Sequence, residues 1–372
     1  MTPRIVYLAT ADARGHLMRA QLLVHALRQD GAQVEVLTTS DAGQRFLAGF
    51  GIEAEVLSNH YAVQFDSRQN MLRGATNRNV AHYIFRPGRM LRDIVRLRRI
   101  ARHADLLVND SFHPALLFMG TLPGWRRKVL HVYGGSLKAA LLGNFDGVRP
   151  RSVGRAFGWI VGRQIEAAQS CIEHDFAYEV AATEHPSRYR LPTPVPLAGP
   201  QPLAESDGAA VYLNPHFSDP GLADALCTGI ADAGLTSHRV GEGYAGQGGW
   251  LAVDPDWASR AAHAQLIVSA PGMAALSIAL IYRRPIILVL TDQPEQTTNA
   301  ARAAQLGLVH RVVTWRGDAA DFRRQVARAA GELTASGKTA EQSVPAGRER
   351  AQARVDAWIA RLLALCGEHA RR

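Results

Sequence analysis

The stretch IVYLATADARGHLMR, residues 5–19, decides the fold. Its first part, Ile5–Ala9, is an unbroken apolar run, which reads as a strand buried on both faces. Residues 10–15 form a turn, and Met18 to Leu27 recurs at helical spacing until Asp30-Gly31 closes it. A doubly buried strand feeding a helix is the opening of a parallel α/β sheet. In such sheets ligands gather at the carboxyl ends of strands, beside the first strand-to-helix turn. Gly15 there lets backbone approach a ligand, and the helix amides favour an anion. His16 places an imidazole, a side chain suited to proton transfer, at the helix start. The plainer alternative is a histidine that only caps the helix.

The same alternation continues outward. Val34–Thr38, Glu53–Leu57, Leu106–Asn109 and Val129–Tyr133 read as further strands, and Gln44 to Gly51 as a short helix. Prolines 192, 194, 196 and 200, followed by polar residues to Gly208, mark an interdomain linker. A second series follows, with strands at Ala210–Leu213, Gln265–Ser269 and Ile286–Leu290. Its helices are Gly221 to Gly234, Met273–Tyr282 and Thr297–Leu306. The expected organisation is an N-terminal Rossmann-like domain over 1–195, a C-terminal Rossmann-like domain over 209–345 and an amphipathic helix over 346–372. The fold class is α/β, two doubly wound Rossmann-like domains facing each other across a cleft.

At 372 residues the chain suits two domains. No apolar run approaches the roughly 20 residues that span a bilayer, and Ile5–Ala9 is too short for a signal-peptide core. Cytoplasmic residence is expected. Cys171, Cys227 and Cys366 lie far apart and fit reduced structural thiols rather than a disulfide frame or zinc site. Of the net charge of +9, the segment Arg73–Arg102 supplies +8, nine arginines less Asp93. Met90, Leu91, Ile94 and Val95 recur at helical spacing between Arg92, Arg96, Arg99 and Arg102. This is either a sheet-covering helix with a solvated basic face or a surface that docks on an anionic membrane. No aromatic-basic motif accompanies the charge, so nucleic acid is not expected as a partner.

Asp110 ends an apolar strand and emerges at the same sheet edge as His16, where a carboxylate can orient an imidazole. Alternatively it caps the next helix. In the second domain, the turn Ser269 to Ala275, with Gly272, Met273 and Ala274, can receive a diphosphate on helix-N-terminal amides. Asp292-Gln293 follows the next strand, Asn299 lies in the following helix, and Asp and Gln together can bind sugar hydroxyls. The glycine-rich loop 241–249 lacks the Lys-Ser/Thr of a nucleotide-hydrolase phosphate loop and reads as flexible. Asp254-Pro255-Asp256 reads as a helix start, not a metal pair.

Taken together, Gly15-His16 with Leu17 and Arg19, Asp110 after a strand, and Gly272-Met273 followed by Asp292-Gln293 and Asn299 resemble the GT-B superfamily of nucleotide-sugar glycosyltransferases. The branch most similar holds the peptidoglycan-lipid N-acetylglucosaminyltransferase and the UDP-glycosyltransferases. The resemblance implies an inverting transfer from a UDP-sugar to a hydroxyl acceptor, with His16 as base supported by Asp110. It implies donor binding by Gly272, Met273, Ala274, Ala275, Asp292, Gln293 and Asn299, and packing of Trp250 and Val253 near the nucleotide base. Gly15, Arg19, Arg92 and Arg96 are the expected acceptor or anion contacts. It implies a nucleotide-sugar co-substrate, no cofactor and no metal, with the protein in the cytoplasm or at the inner membrane face. Three positions depart from the pattern: Ile278 replaces a ribose-binding glutamate, Ala275 a Ser or Thr, and Ala270 a histidine found in many members. Two other readings remain open. The run Gly15-His16-Leu17-Met18-Arg19 also resembles the nucleotide-sugar hydrolase of pseudaminic acid synthesis, and the departures would suit an inert binding subunit.

Overall fold

The structure, a computed structural model, describes residues 2–11, 14–58, 87–110, 112–135, 151–180, 188–202, 208–215, 217–291, 293–335 and 343–370. The described residues form two compact units: one up to Thr193 together with Arg354 onward, the other from Pro194 to Ala353.

The first unit is a seven-stranded sheet of β1 (Arg4–Ala9), β2 (Gln33–Thr38), β3 (Ala54–Val56), β4 (Leu106–Asp110), β5 (Val129–Gly134), β6 (Ser170–Asp175) and β7 (Arg188–Pro192). Every pairing is parallel, and the spatial order is 3-2-1-4-5-6-7. Its helices are α1 (Arg14–Gln29), α2 (Asp41–Ala48), α3 (Pro87–Ile100), α4 (Pro114–Met119) and α5 (Arg151–Ala167). All but the first residue of β1, and all of β4 and β5, are buried, as continuous apolar strands of a parallel sheet require. Leu17, Leu23 and Leu27 of α1 are fully buried, each contributing roughly 1.5–3 kcal/mol of burial. The helix begins at Arg14, so Gly15 and His16 lie in its first turn rather than ahead of it.

In this unit two strands, β6 and β7, are not foreseen in the sequence. β6 reads Ser-Cys-Ile-Glu-His-Asp, and its buried Ser170, His174 and Asp175 break the apolar signature. β7 ends at Pro192, which resembles the start of a linker. The predicted linker is tied down further on, where Ala198 N donates to Tyr282 Oη at 2.9 Å and Gly199 N to Ser259 Oγ at 2.8 Å.

The second unit holds a six-stranded parallel sheet of β8 (Ala209–Tyr212), β9 (Ser237–Val240), β10 (Trp250–Leu251), β11 (Leu266–Ser269), β12 (Ile286–Leu290) and β13 (His310–Thr314), in the order 10-9-8-11-12-13. Its helices are α6 (Pro220–Asp232), α7 (Trp257–His263), α8 (Met273–Tyr282), α9 (Pro294–Gln305) and α10 (Ala319–Ala335). Gly229 allows α6 and α10 to approach closely; a Cβ there would lie 2.8 Å from Arg323 O and from Val326 Cβ. The glycine-rich loop 241–249 is not free: Glu242–Tyr244 is a turn of 3-10 helix and Tyr244 is fully buried. A last helix, α11 (Ser343–Ala370), counts with the second unit to Ala353 and with the first from Arg354.

In each sheet the strand order reverses once, between β1 and β4 and between β8 and β11. Those switch points, at the carboxyl ends of the strands, are where open α/β sheets bind ligands.

Candidate active site

At the first switch point the register sets Ala9 of β1 beside Asp110, the last residue of β4. Asp110 is completely buried. A buried carboxylate is costly unless paired and hydrogen-bonded, and here it is both. Tyr7 Oη donates to Asp110 Oδ2 at 2.7 Å. Arg19 projects from α1 and forks onto the carboxylate, Nε to Oδ2 at 2.8 Å and Nη2 to Oδ1. His16 and Arg19, three residues apart, share one face of α1, and Arg19 Nη2 lies 3.0 Å from His16 Nδ1. Arg19 Nη1 reaches Nε2 of His174, on β6, at 2.6 Å. His174 Nδ1 lies 3.0 Å from Thr193 Oγ1. One guanidinium therefore joins a carboxylate and two imidazoles. The side chain of His16 keeps 15% of its exposure, whereas Asp110 has none.

The electrostatics follow from this geometry. Burial by itself would raise the Asp110 carboxyl; the charge of Arg19 and its hydrogen bonds hold it far below the usual carboxylate range. Desolvation pulls Arg19 down, but Asp110 outweighs it and the guanidinium stays charged. Burial, then the Asp110 charge, keeps the Tyr7 phenol protonated. Burial, then the Arg19 charge, holds His174 well below its ordinary value, so this imidazole is neutral.

The structure sets His16 and Asp110 at one sheet edge and places Arg19 between them. Asp110 does not cap the next helix; His113 does, its Nδ1 accepting from Ala115 N at 3.3 Å. Arg19, expected to meet an acceptor or anion, is buried and committed to Asp110 and the two histidines. Arg96, likewise expected to bind an anion, donates to Leu57 O at 2.6 Å and pairs with Glu55, bridging α3 to the β3 exit. Arg92 is exposed, and Gly15 is exposed in the first turn of α1. Tyr7, His174 and Thr193 belong to the cluster and escaped the sequence reading. The available signals were a lone hydroxyl inside the apolar β1 run and the polar end of β6.

At the second switch point, Gly272 is the N-cap of α8 and is exposed, with Met273 and Ala274 half-buried behind it. Asn299 of α9 braces this turn, Nδ2 donating to Pro271 O at 2.9 Å. Its Oδ1 is buried and has no hydrogen-bond partner among the described residues. Gln296, unnoticed in the sequence, fixes the turn after β12: its Oε1 accepts from Thr291 N at 2.7 Å. Gln293 is the N-cap of α9, and Asp292 lies outside the described residues. Ile278 faces inward at 2% exposure, and Ala270 and Ala275 are buried. Trp250 corrects another expectation. It is 5% exposed and packs on Tyr244 with ring centroids 4.9 Å apart, so the ring serves the core rather than a nucleotide base. The exposed apolar side chains of that stretch are Leu251 and Val253.

Neither the family models nor the curated proteins contain a match to this sequence. Solved structures do match in fold. The calicheamicin glycosyltransferase superposes with a TM-score of 0.62 at 17% identity, covering 99% of each chain. The glycosyltransferase of kitacinnamycin gives 0.61 at 15% identity, covering 98% of this chain and 99% of the other. A UDP-glucosyltransferase from Polygonum tinctorium, capable of glucosylating indoxyl, gives 0.60 at 14% identity over 99% of each chain. The chain has the α/β architecture of the GT-B fold.

Proposed function

We propose that the protein is an inverting glycosyltransferase that moves a sugar from a nucleotide-sugar, by resemblance a UDP-sugar, to a hydroxyl acceptor. The observation that carries this reading is the cluster at the first switch point, where a partly exposed imidazole is backed by a buried charged pair. In this reading the first unit carries the acceptor chemistry. His16 takes the acceptor proton at Nε2 while Nδ1–H turns to Asp110 Oδ1, 3.5 Å away. The second unit carries the donor. Amides at Gly272–Ala275 receive the leaving diphosphate, Asp292 and Gln293 meet the sugar, and Asn299 holds the turn at Pro271. No metal or cofactor is required by this scheme. The acceptor is a small molecule or a lipid-linked one. Arg89, Arg92, Arg98, Arg99 and Arg102, exposed beside Leu91 and Val95 on and just after α3, would suit an anionic membrane surface at the cytoplasmic face.

Calorimetric titration with UDP-, dTDP- and GDP-sugars, repeated with Gln293→Ala and Asp292→Ala, tests the donor site. One donor should bind and weaken in both variants; no binding to any donor would overturn the reading in favour of an inert subunit. Product analysis with that donor separates transfer from hydrolysis. Free sugar formed equally well without any acceptor would mark the protein as a hydrolase in which His16 activates water. Inversion at the anomeric carbon, with loss of turnover in His16→Gln, is the expected result.

A further inference from the structure

Arg19 lies between the two residues that the proposed mechanism pairs. His16 Nδ1 is 3.0 Å from Arg19 Nη2 and 3.5 Å from Asp110 Oδ1. A guanidinium nitrogen only donates and an ionised carboxylate only accepts, so one ring nitrogen cannot serve both at once. The nearer contact, within hydrogen-bonding distance, requires a lone pair on Nδ1; a neutral ring then carries its proton on Nε2. The same logic holds next door. Arg19 Nη1 donates to His174 Nε2, leaving Nδ1–H for Thr193 Oγ1 at 3.0 Å. Arg19 in turn cannot easily move. It is 5% exposed, and its Nε and Nη2 are both anchored on Asp110, which Tyr7 also holds.

We propose that Arg19 is a positioning residue that fixes His16 in the Nε2–H tautomer at rest, and that His16 becomes a base only when Nδ1 passes from Arg19 to Asp110. In that exchange solvent takes the proton from Nε2 and supplies one to Nδ1, so the ring stays neutral. The Nε2 lone pair then accepts the acceptor's hydroxyl proton, and the imidazolium formed is held at Nδ1–H by Asp110. Before the exchange, His16 meets an incoming group as a hydrogen-bond donor. The resting site therefore favours an oxygen that already carries negative charge over a neutral hydroxyl. The consequence for transfer rests on the reading of His16 as base; the tautomer itself does not.

The test is long-range nitrogen–proton NMR on protein labelled with 15N-histidine, free of donor and acceptor, with the His16 signals assigned by their loss in His16→Gln. Wild type should show an unprotonated Nδ1 and a protonated Nε2. Arg19→Lys keeps the charge but lacks the planar fork that reaches the carboxylate and both rings. It should shift His16 toward Nδ1–H, with His174 losing its single tautomer. A protonated Nδ1 in the wild type overturns the proposal. So does an unchanged His16 tautomer in a folded Arg19→Lys protein. Should that variant not fold, the wild-type spectrum alone decides. A protein that binds no nucleotide-sugar would still pass or fail this test, so the two readings fail separately.

Discussion

Lowering the pH from 7 to 5 should destabilise the first unit by at least about 2 kcal/mol, through two histidines buried without charge. His131 of β5 is fully buried, and burial pulls it down to about 3. His174 is held well below its ordinary value by burial and by Arg19. Both folded values lie below the unfolded value of about 6.5, so below that pH the unfolded chain binds two protons the native unit refuses. Stability from these groups is full above pH 6.5 and falls as the pH drops. At about 1.36 kcal/mol per pH unit over roughly 1.5 units, His131 removes about 2 kcal/mol by pH 5, and His174 acts in the same direction. Asp110 acts in the same direction but in a lower window. Its carboxyl is depressed, so its contribution is lost only as the pH falls below about 4, where the unfolded carboxyl protonates. Urea unfolding at pH 5, 6 and 7 gives the slope, with amide exchange on β5 and β6 peptides assigning it to the first unit. In His131→Gln, which keeps an acceptor for Asn109 Nδ2 (3.2 Å from the His131 Nδ1 it replaces), the loss of stability between pH 7 and 5 should shrink by about 2 kcal/mol whatever the stability at pH 7. A slope equal to wild type in that variant would refute the reasoning.

Other parts of the chain are equally open to test. Trp250→Ala should cost the second unit about 3–5 kcal/mol in urea unfolding, as loss of a buried aromatic does; a change under about 1 kcal/mol would remove Trp250 from the core. Replacing the exposed Arg92, Arg98 and Arg99 with Gln should weaken sedimentation with phosphatidylserine vesicles by roughly a hundredfold at low salt, at about 1 kcal/mol per arginine. Unchanged sedimentation would eliminate the membrane-facing role of α3.

The parts of the fold legible in the sequence were those where one physical signal dominates. β1, β4, β5, β11 and β12 are buried apolar runs, and a run of that kind announces a parallel strand. β6 is hidden because buried Ser170, His174 and Asp175 interrupt its apolar run, and His174 belongs to the site. β10 has only two residues, and edge strand β13 exposes Arg311 and Val312. Helix α5 was obscured by Gly154, Gly158 and Gly162, which lower helix propensity. At the site, His16 and Asp110 could be placed on one sheet edge from topology alone. The position of Arg19 between them could not, because it depends on which way a long side chain leaves its helix and on a strand, β6, that the sequence conceals. The resemblance puts Trp250 near a nucleotide base, but period and neighbours cannot say which face of a two-residue strand is buried.

The charged pair at the centre of the first unit is better understood as site-building than as stabilising. Breaking a buried pair by removing one partner typically costs about 3–5 kcal/mol, because the remaining charge is stranded. Arg19→Met and Asp110→Leu should each lose about that much, since both groups are nearly or fully buried. Replacing both with apolar residues of similar volume is often neutral, as the desolvation cost vanishes along with the attraction. The double variant should therefore fall far short of the summed losses, a coupling of several kcal/mol measurable by urea unfolding as a double-mutant cycle. Simple additivity would mean that the two charges do not compensate each other. If the double variant is as stable as wild type, the pair is dispensable to the fold. What it uniquely supplies is then the orientation and protonation of His16 and His174, the two imidazoles that touch Arg19. The double variant should accordingly keep its melting behaviour and lose the single His16 tautomer, a combination that a purely structural ion pair would not produce.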